Sequence, residues 1–150
     1  MMRFGFLSAL LAAALLLGGC AATGGGPSLP DGTASPDDAA AAPGYVRITV
    51  GSDSRWIALP GDGERVVTLR QTAEDGTELI NEVHLSPEGV FMGAASCHNQ
   101  DCVKQGQVTF ENRDTRVLTN WVICLPNQVS VELYTPEEMN AMGGSGEGGA

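Results

Sequence analysis

Positive charge is scarce in this chain of 150 residues. The chain has eight Lys and Arg residues and 18 Asp and Glu residues, which gives a formal net charge of −10. Lys104 is the only lysine. Binding to nucleic acid is driven by Lys and Arg side chains that release counterions from phosphates, so we predict no nucleic-acid partner. An anionic lipid surface would also repel this chain, so attachment to a membrane needs a source other than charge.

The chain also lacks an apolar run long enough to cross a bilayer. Its longest run, 6–19, has about 14 residues, where a spanning helix needs roughly 20. Arg3 precedes the run and small residues end it, which is the layout of a secretory signal peptide. The last four residues, Leu-Gly-Gly-Cys20, resemble a bacterial lipobox. That resemblance implies a signal peptide over 1–19, a lipid on the Cys20 thiol, and a protein anchored on the extracytoplasmic face of the cell membrane.

Large apolar side chains are almost absent from two further segments. Residues 20–44 hold the lipidated cysteine and a stretch rich in Ala, Gly and Pro, and the end of the chain from 143 is mostly Gly. Such compositions bury too little surface to offset chain entropy, so we predict a flexible linker and a disordered tail. The remaining residues, 45–135, suffice for one small domain.

The alternation of apolar and polar residues in this domain predicts strands. Val46, Ile48 and Val50 alternate with Arg47 and Thr49, the period-2 pattern of a half-buried strand. Similar short segments are separated by turn residues, which predicts an all-β fold, a small single sandwich or barrel-like domain. The predicted strands are 46–50, 56–59, 66–69, 79–85, 90–95, 108–110, 121–125 and 129–134.

A single helix signal follows the last strand. Thr135, Pro136 and Glu138 form a capping box with proline at the first helical position. The helix has at most two turns before Gly143, so 136–150 is predicted as a short helix followed by the tail.

With Cys20 assigned to lipid, three cysteines remain: Cys97, Cys102 and Cys124. The exported side of a membrane lets disulfides persist, and three thiols allow one bond with one thiol left over. We predict Cys102–Cys124, because the two candidate strands between these residues could fold back as a hairpin. The loop closed would have about 20 residues, worth roughly 3 kcal/mol. Cys97 is the alternative partner of Cys124, whereas Cys97–Cys102 closes a small loop and contributes less.

The cysteine block carries a family resemblance. Four residues separate Cys97 from Cys102-Val103, Gly106 follows after two more, and Cys124-Leu-Pro-Asn127 comes before the closing strand. This order resembles the signature of NusG domain II-containing proteins, over roughly 45–135. The resemblance implies a compact all-β domain like the insertion domain of some NusG transcription factors, often found alone behind a signal peptide or anchor and without an established activity.

Two features limit what the resemblance implies. The chain is acidic and has an export signal, so we carry over the fold and not a role in transcription. The interval from Cys102 to Cys124 is also longer than the family pattern leads us to expect. We place the extra residues in 111–116, a polar surface loop.

Catalytic and metal chemistry are disfavoured by the spacing. Cys97, His98, Cys102 and Cys124 are suitable types of zinc ligand, but Cys-x₄-Cys is looser than the usual knuckle and His98 adjoins Cys97. We therefore predict no metal, no cofactor and no catalytic residue. A redox thiol would need a low pKa, and Asp101 beside Cys102 should raise the pKa of that thiol. Neither His84 nor His98 belongs to a nucleophile motif.

The function expected from the sequence is non-enzymatic. A lipid-anchored protein would present a small β-domain to another protein of the cell envelope. The alternative is a thiol-redox or metal-handling module that uses Cys97, Cys102 and Cys124.

Overall fold

The computed structural model describes residues 42–144. The predicted signal peptide, Cys20, the linker up to residue 41 and the last six residues of the tail lie outside that range. No helix within 42–144 is long and apolar enough to cross a membrane.

The described domain is built from two antiparallel sheets of four strands. Sheet I has the order β3-β4-β5-β6 and sheet II the order β2-β1-β8-β7. The predicted all-β fold is confirmed, and each predicted strand region contains a strand. In chain order the elements are β1 (Tyr45–Val50), β2 (Asp53–Ala58), β3 (Arg65–Thr72), β4 (Glu78–Ser86), β5 (Gly89–Ala95), α1 (Asp101–Lys104), β6 (Val108–Thr109), β7 (Trp121–Cys124), β8 (Val129–Tyr134) and α2 (Pro136–Ala141).

Alternating side chains of both sheets meet in one apolar core. In β1 the inward residues Val46, Ile48 and Val50 are at most 1% exposed, as the period-2 pattern predicts. Val83 of β4 and Val131 of β8 bury their side chains in the same cluster. Each such side chain contributes about 1.5–3 kcal/mol through its removal from water, so this core holds the two sheets together.

Sheet II has two distinct ends. At one, Tyr45 lies opposite Ala58 and Tyr134, close to where the described chain begins. There Met139 of α2 packs on Tyr45 and Ala58 in a small second cluster. At the other end of sheet II, Cys124 is the register partner of Val129. We refer to these as the Tyr45 end and the Cys124 end.

The helix predicted from the capping box is confirmed. Thr135 accepts a hydrogen bond from the backbone N–H of Glu138, and the Glu138 side chain accepts one from the backbone N–H of Thr135. Pro136 occupies the first turn, where its missing N–H costs nothing. The helix is only six residues long and is stabilised by packing through Met139.

The hairpin expected between Cys102 and Cys124 is wrong. β6 pairs with β5 in sheet I, whereas β7 pairs with β8 in sheet II. β6 has only two residues, so its pairing surface is small, and the edge of β5 already satisfies it. The connection over 110–120 therefore crosses from one sheet to the other.

The loop predicted at 111–116 is held closely by two arginines. Arg113 donates to both carboxylate oxygens of Glu138, at 2.6 and 2.9 Å, which lowers the pKa of that carboxyl. Arg116 donates to the backbone carbonyls of Gln105 at 2.7 Å and of Trp121 at 3.0 Å. The extra length thus forms an ordered bridge between α2, the region after α1 and β7.

A buried carboxylate lies on the outer face of sheet II. Glu132 is 2% exposed, and Arg47 on the neighbouring strand donates to its two oxygens at 3.2 and 2.6 Å. The hydroxyl of Tyr134 donates to Glu132 at 2.5 Å. Burial, followed by this hydrogen bond, raises the pKa of Tyr134 to about 12. The Arg47 guanidinium also lies 5.9 Å from the ring centre of Trp56, which is partly buried in the sheet.

The pairing of β5 with β6 tests the sheet assignment. A methyl group on Gly89 would overlap the carbonyl oxygen of Val108, whereas the space around Gly61 is open. We expect Gly89→Ala to lower the free energy of unfolding by about 1–3 kcal/mol, since the backbone must move, and Gly61→Ala to leave it almost unchanged. Urea denaturation of the full chain followed by tryptophan fluorescence measures both. Equal midpoints for the two variants would contradict the observed pairing.

Candidate functional site

Three segments that are far apart in sequence bring their cysteines together at the Cys124 end. Cys97 follows β5, Cys102 lies in α1 and Cys124 ends β7, and each is less than 5% exposed. The three Sγ atoms all lie within 4.8 Å of one another, with 3.5 Å between Cys97 and Cys102. All three thiols are free in the structure. The disulfide between Cys102 and Cys124, with Cys97 as alternative partner, stays a prediction. We call these residues the thiol cluster.

The short helix α1 places Cys102 beside Cys97. It was not predicted, because four residues are too few to show a helical period. Gln100 precedes it with φ 54°, a left-handed conformation that turns the chain sharply. The Gln100 side-chain amide donates to the carbonyls of Ala95 at 2.6 Å and of Cys97 at 2.5 Å. One side chain therefore ties the end of β5 to the start of α1.

A second glutamine attaches the region after α1 to sheet II. The Gln105 amide nitrogen donates to the carbonyl of Ile123, and the backbone N–H of Ile123 donates to the Gln105 side-chain oxygen, both at 2.8 Å. β7 is the edge strand of its sheet, so this amide takes the place of a further strand. It holds Cys102 and Cys124 on facing elements.

A buried pair of asparagines joins the sheets close to the thiol cluster. Asn127 donates to the side-chain oxygen of Asn81 at 2.8 Å, and these residues are 1% and 0% exposed. The same amide group lies 3.3 Å from the hydroxyl of Ser96. Gln71 donates to the carbonyl of Asn127 at 2.7 Å. Because Ser96 directly precedes one cysteine, and Asn127 follows another by three residues, these bonds position two of the three thiols.

Burial favours the protonated form of Cys102 in the thiol cluster. Burial, and after it the neighbouring thiols of Cys97 and Cys124, together raise the pKa of Cys102 to about 12. The direction agrees with the expectation from sequence, but the cause differs. Asp101 is exposed and pairs with Lys104 at 3.3 Å. Since the thiolate is the reactive form, Cys102 in this state is a poor nucleophile at neutral pH.

A small cleft leads from the surface to the cluster. It has a volume of about 180 Å³, and Cys102 and Cys124 are among its lining residues. Leu118 and Leu125 line it too, and they are 37% and 79% exposed. The cleft gives solutes a route toward otherwise buried sulfur atoms.

His84 and His98, the histidines considered as candidate catalytic or metal-binding residues, are not part of this cluster. His84 pairs with Glu64 at 2.9 Å and stacks on Phe91, with ring centres 4.7 Å apart. His98 is exposed. Within 42–144 the group of potential metal ligands consists of the three cysteine sulfurs, without either histidine.

Comparison with known proteins places the whole domain in one family. A sequence model of NusG domain II matches residues 37–136, two thirds of the chain, including the eight strands within 42–144 and the thiol cluster. The chain belongs to the NusG domain II family. This confirms the resemblance drawn from the cysteine block. No curated protein matches the sequence.

Solved structures with similarity to this NusG domain II protein come from several bacteria. The Lin0431 protein from Listeria innocua is 20% identical, with a TM-score of 0.47 and coverage of 62% of this chain and 97% of its own. A DUF1312 family protein from Enterococcus faecalis is 17% identical, with a TM-score of 0.47 and coverage of 62% and 98%. A DUF1312 family protein from Ruminococcus gnavus is 22% identical, with a TM-score of 0.39 and coverage of 61% and 97%.

The asparagine pair can be tested with a matched surface residue. Asn127→Ala leaves the Asn81 side-chain oxygen buried without its partner, so we expect a loss of about 1–3 kcal/mol in the free energy of unfolding. Asn99 is exposed and bonds to Asp101 beside it, and Asn99→Ala should change stability by less than about 0.5 kcal/mol. Thermal unfolding of the full chain checks both. A melting temperature for Asn127→Ala equal to wild type would refute the proposed bridge.

Proposed function

We propose that this protein is a lipid-anchored member of the NusG domain II family that presents its β-domain on the extracytoplasmic face of the cell membrane. The observation that carries the proposal is the apolar run after Arg3 that ends in Leu-Gly-Gly-Cys20. Two or three acyl chains on one cysteine hold a protein firmly, since each buried CH₂ contributes about 0.8 kcal/mol. The acidic chain needs such an anchor because its charge provides no attraction to anionic lipid.

The role we propose for the presented domain is non-catalytic interaction with another protein of the envelope. Two observations support it. Leu118 and Leu125 expose apolar surface beside the cleft, and surface of this kind is often covered by a protein partner. The composition of 20–44 predicts a flexible linker, and about 25 residues of that kind have a root-mean-square span on the order of 25 Å. That reach lets the domain meet partners away from its anchor point.

Replacement of Cys20 tests the anchor. We expect wild-type protein to incorporate labelled palmitate and to enter the detergent phase, because the thiol is the acceptor of lipid. Cys20→Ser should carry no label and should be either released or left as the uncut precursor. Cys124→Ser serves as the control, since it makes the same exchange outside the signal and should keep the label. A Cys20→Ser protein that stays in the membrane at the mature mass would overturn the proposal.

The thiol cluster favours a second candidate function, thiol redox chemistry. Cys97 and Cys102 are 3.5 Å apart at sulfur, and Cys124 lies within 4.8 Å of both. Two of these thiols can form a disulfide by giving two electrons and two protons to a disulfide-containing oxidant, which becomes two thiols. The third sulfur is then placed to attack the new bond, so the disulfide can move among the three residues.

Thiol counting on protein extracted from membranes tests this candidate. Alkylation under denaturing conditions followed by intact-mass measurement should show one disulfide and one free thiol among Cys97, Cys102 and Cys124. A redox role further requires the disulfide to exchange readily, with a reduction potential above about −300 mV. A disulfide that resists millimolar dithiothreitol in the folded protein would contradict the redox role and leave a structural one.

A further inference from the structure

The thiol cluster also has the donor set of a soft-metal site. We propose that Cys97, Cys102 and Cys124 bind one thiolate-preferring metal ion, Cu⁺ or Zn²⁺, through their three sulfur atoms. The inference deepens the thiol-based candidate function and does not depend on the lipid anchor. One objection to a metal site in the sequence was that His98 adjoins Cys97. The fold brings the three cysteine sulfurs together without His98, so this objection does not apply.

The spacing of the sulfurs suits such an ion. A zinc–sulfur bond is about 2.3 Å long, so two sulfurs at tetrahedral angles are about 3.8 Å apart, and a flat three-sulfur arrangement places them at about 4.0 Å. The observed separations start at 3.5 Å and stay within 4.8 Å. Each separation therefore has to change by at most about 1 Å. Such a change is within the reach of rotations about cysteine side-chain bonds.

The ligand type selects the metal class. Sulfur donors favour Cu⁺ and Zn²⁺, whereas Ca²⁺ and Mg²⁺ bind oxygen ligands. Three sulfurs complete the coordination of Cu⁺. Zn²⁺ prefers four ligands, so it would keep one position for water or an added ligand, and the cleft beside Cys102 and Cys124 provides room for it.

The burial of the cluster is consistent with a bound cation. Each sulfur that binds loses its thiol proton to water, and the positive ion offsets the repulsion among three thiolates packed within 4.8 Å. The supporting bonds are already made: Gln100 holds Cys97, Gln105 holds the strand that ends in Cys124, and Asn127 joins the sheets beside them. A site held in this way spends little entropy on ordering its ligands.

The site can be tested with Cu⁺ and Zn²⁺ in separate arms. The full chain is purified in detergent, fully reduced and kept without oxygen, and each ion is titrated against a chromophoric chelator. We expect one bound ion per chain in at least one arm, measured by elemental mass spectrometry. That ion should protect all three cysteines from iodoacetamide. The arm that saturates identifies the metal.

Matched variants separate the cluster from other thiols. Loss of a residue that merely supports a metal ligand costs about 10–100-fold in affinity, so Cys97→Ser, Cys102→Ser and Cys124→Ser should each cost at least about 100-fold. Cys20→Ser makes the same exchange elsewhere, and His98→Ala removes the neighbouring imidazole. Both should bind as wild type does. Circular dichroism reports whether each variant is folded. Protection of the wild-type cysteines from iodoacetamide tests the site even if a variant fails to fold.

Two outcomes would overturn the metal site. One is a folded, reduced protein that binds neither ion and whose three thiols are alkylated equally with and without metal. The other is affinity that survives Cys102→Ser. A readily exchanged disulfide without metal binding overturns the metal site and supports the redox candidate. Metal binding without such a disulfide supports the metal site and overturns the redox candidate.

Discussion

The hydrogen bond between Asn127 and Asn81 is the constraint on which the arrangement of this domain depends. Both amides lie in an apolar interior, where a polar group without a partner costs about 1–3 kcal/mol. Apolar contacts alone tolerate sliding of one sheet over the other, but this bond is made in one position only. Asn81 lies opposite Ala95 in the register of sheet I, and Ala95 precedes Cys97 by two residues. The bond that aligns the sheets therefore also aligns the cysteines.

Polar side chains complete what short elements cannot stabilise by themselves. An isolated helix of four residues is unstable in water, and α1 exists because Gln100 and Gln105 bind backbone groups on either side of it. Arg116 continues this pattern by donating to the carbonyls of Gln105 and Trp121. The Cys124 end is thus an irregular region fastened by amide and guanidinium groups, whereas the rest of the domain relies on strand pairing.

The sequence predicts local structure here better than the meeting of distant segments. Alternation identified strands such as β1, and the capping box at Thr135 identified α2, because those signals lie within a few residues. The sheet to which β6 belongs depends on pairing with β5, which no local pattern encodes. The burial of Glu132 could not be predicted from the sequence either, because its charge is balanced by Arg47, which lies 85 residues away in sequence on the neighbouring strand.

Prediction of the site was limited for the same reason. Cys97, Cys102 and Cys124 were the cysteines left after Cys20 was assigned to lipid, and the family match confirms the resemblance that their block carries. Their mutual distances could not be predicted, because Cys124 reaches the others through the docking of two sheets and not through a hairpin. Asn127, which closes the segment Cys124-Leu-Pro-Asn127, hinted at a contact between distant segments. It is buried in the structure, so its side-chain amide needs a partner on the other sheet.

The two ends of sheet II give the molecule a direction. The described chain begins beside Tyr45, and α2 packs at that same end, so both termini of the domain leave from one pole. The six residues of β1 separate it from the opposite pole by about 20 Å. With the proposed lipid attached ahead of the Tyr45 pole, the sulfur-lined cleft lies at the pole of the domain opposite to the linker. Electron carriers or metal donors in the aqueous phase would then approach the cleft at the pole opposite to the linker, whereas α2 lies beside the linker.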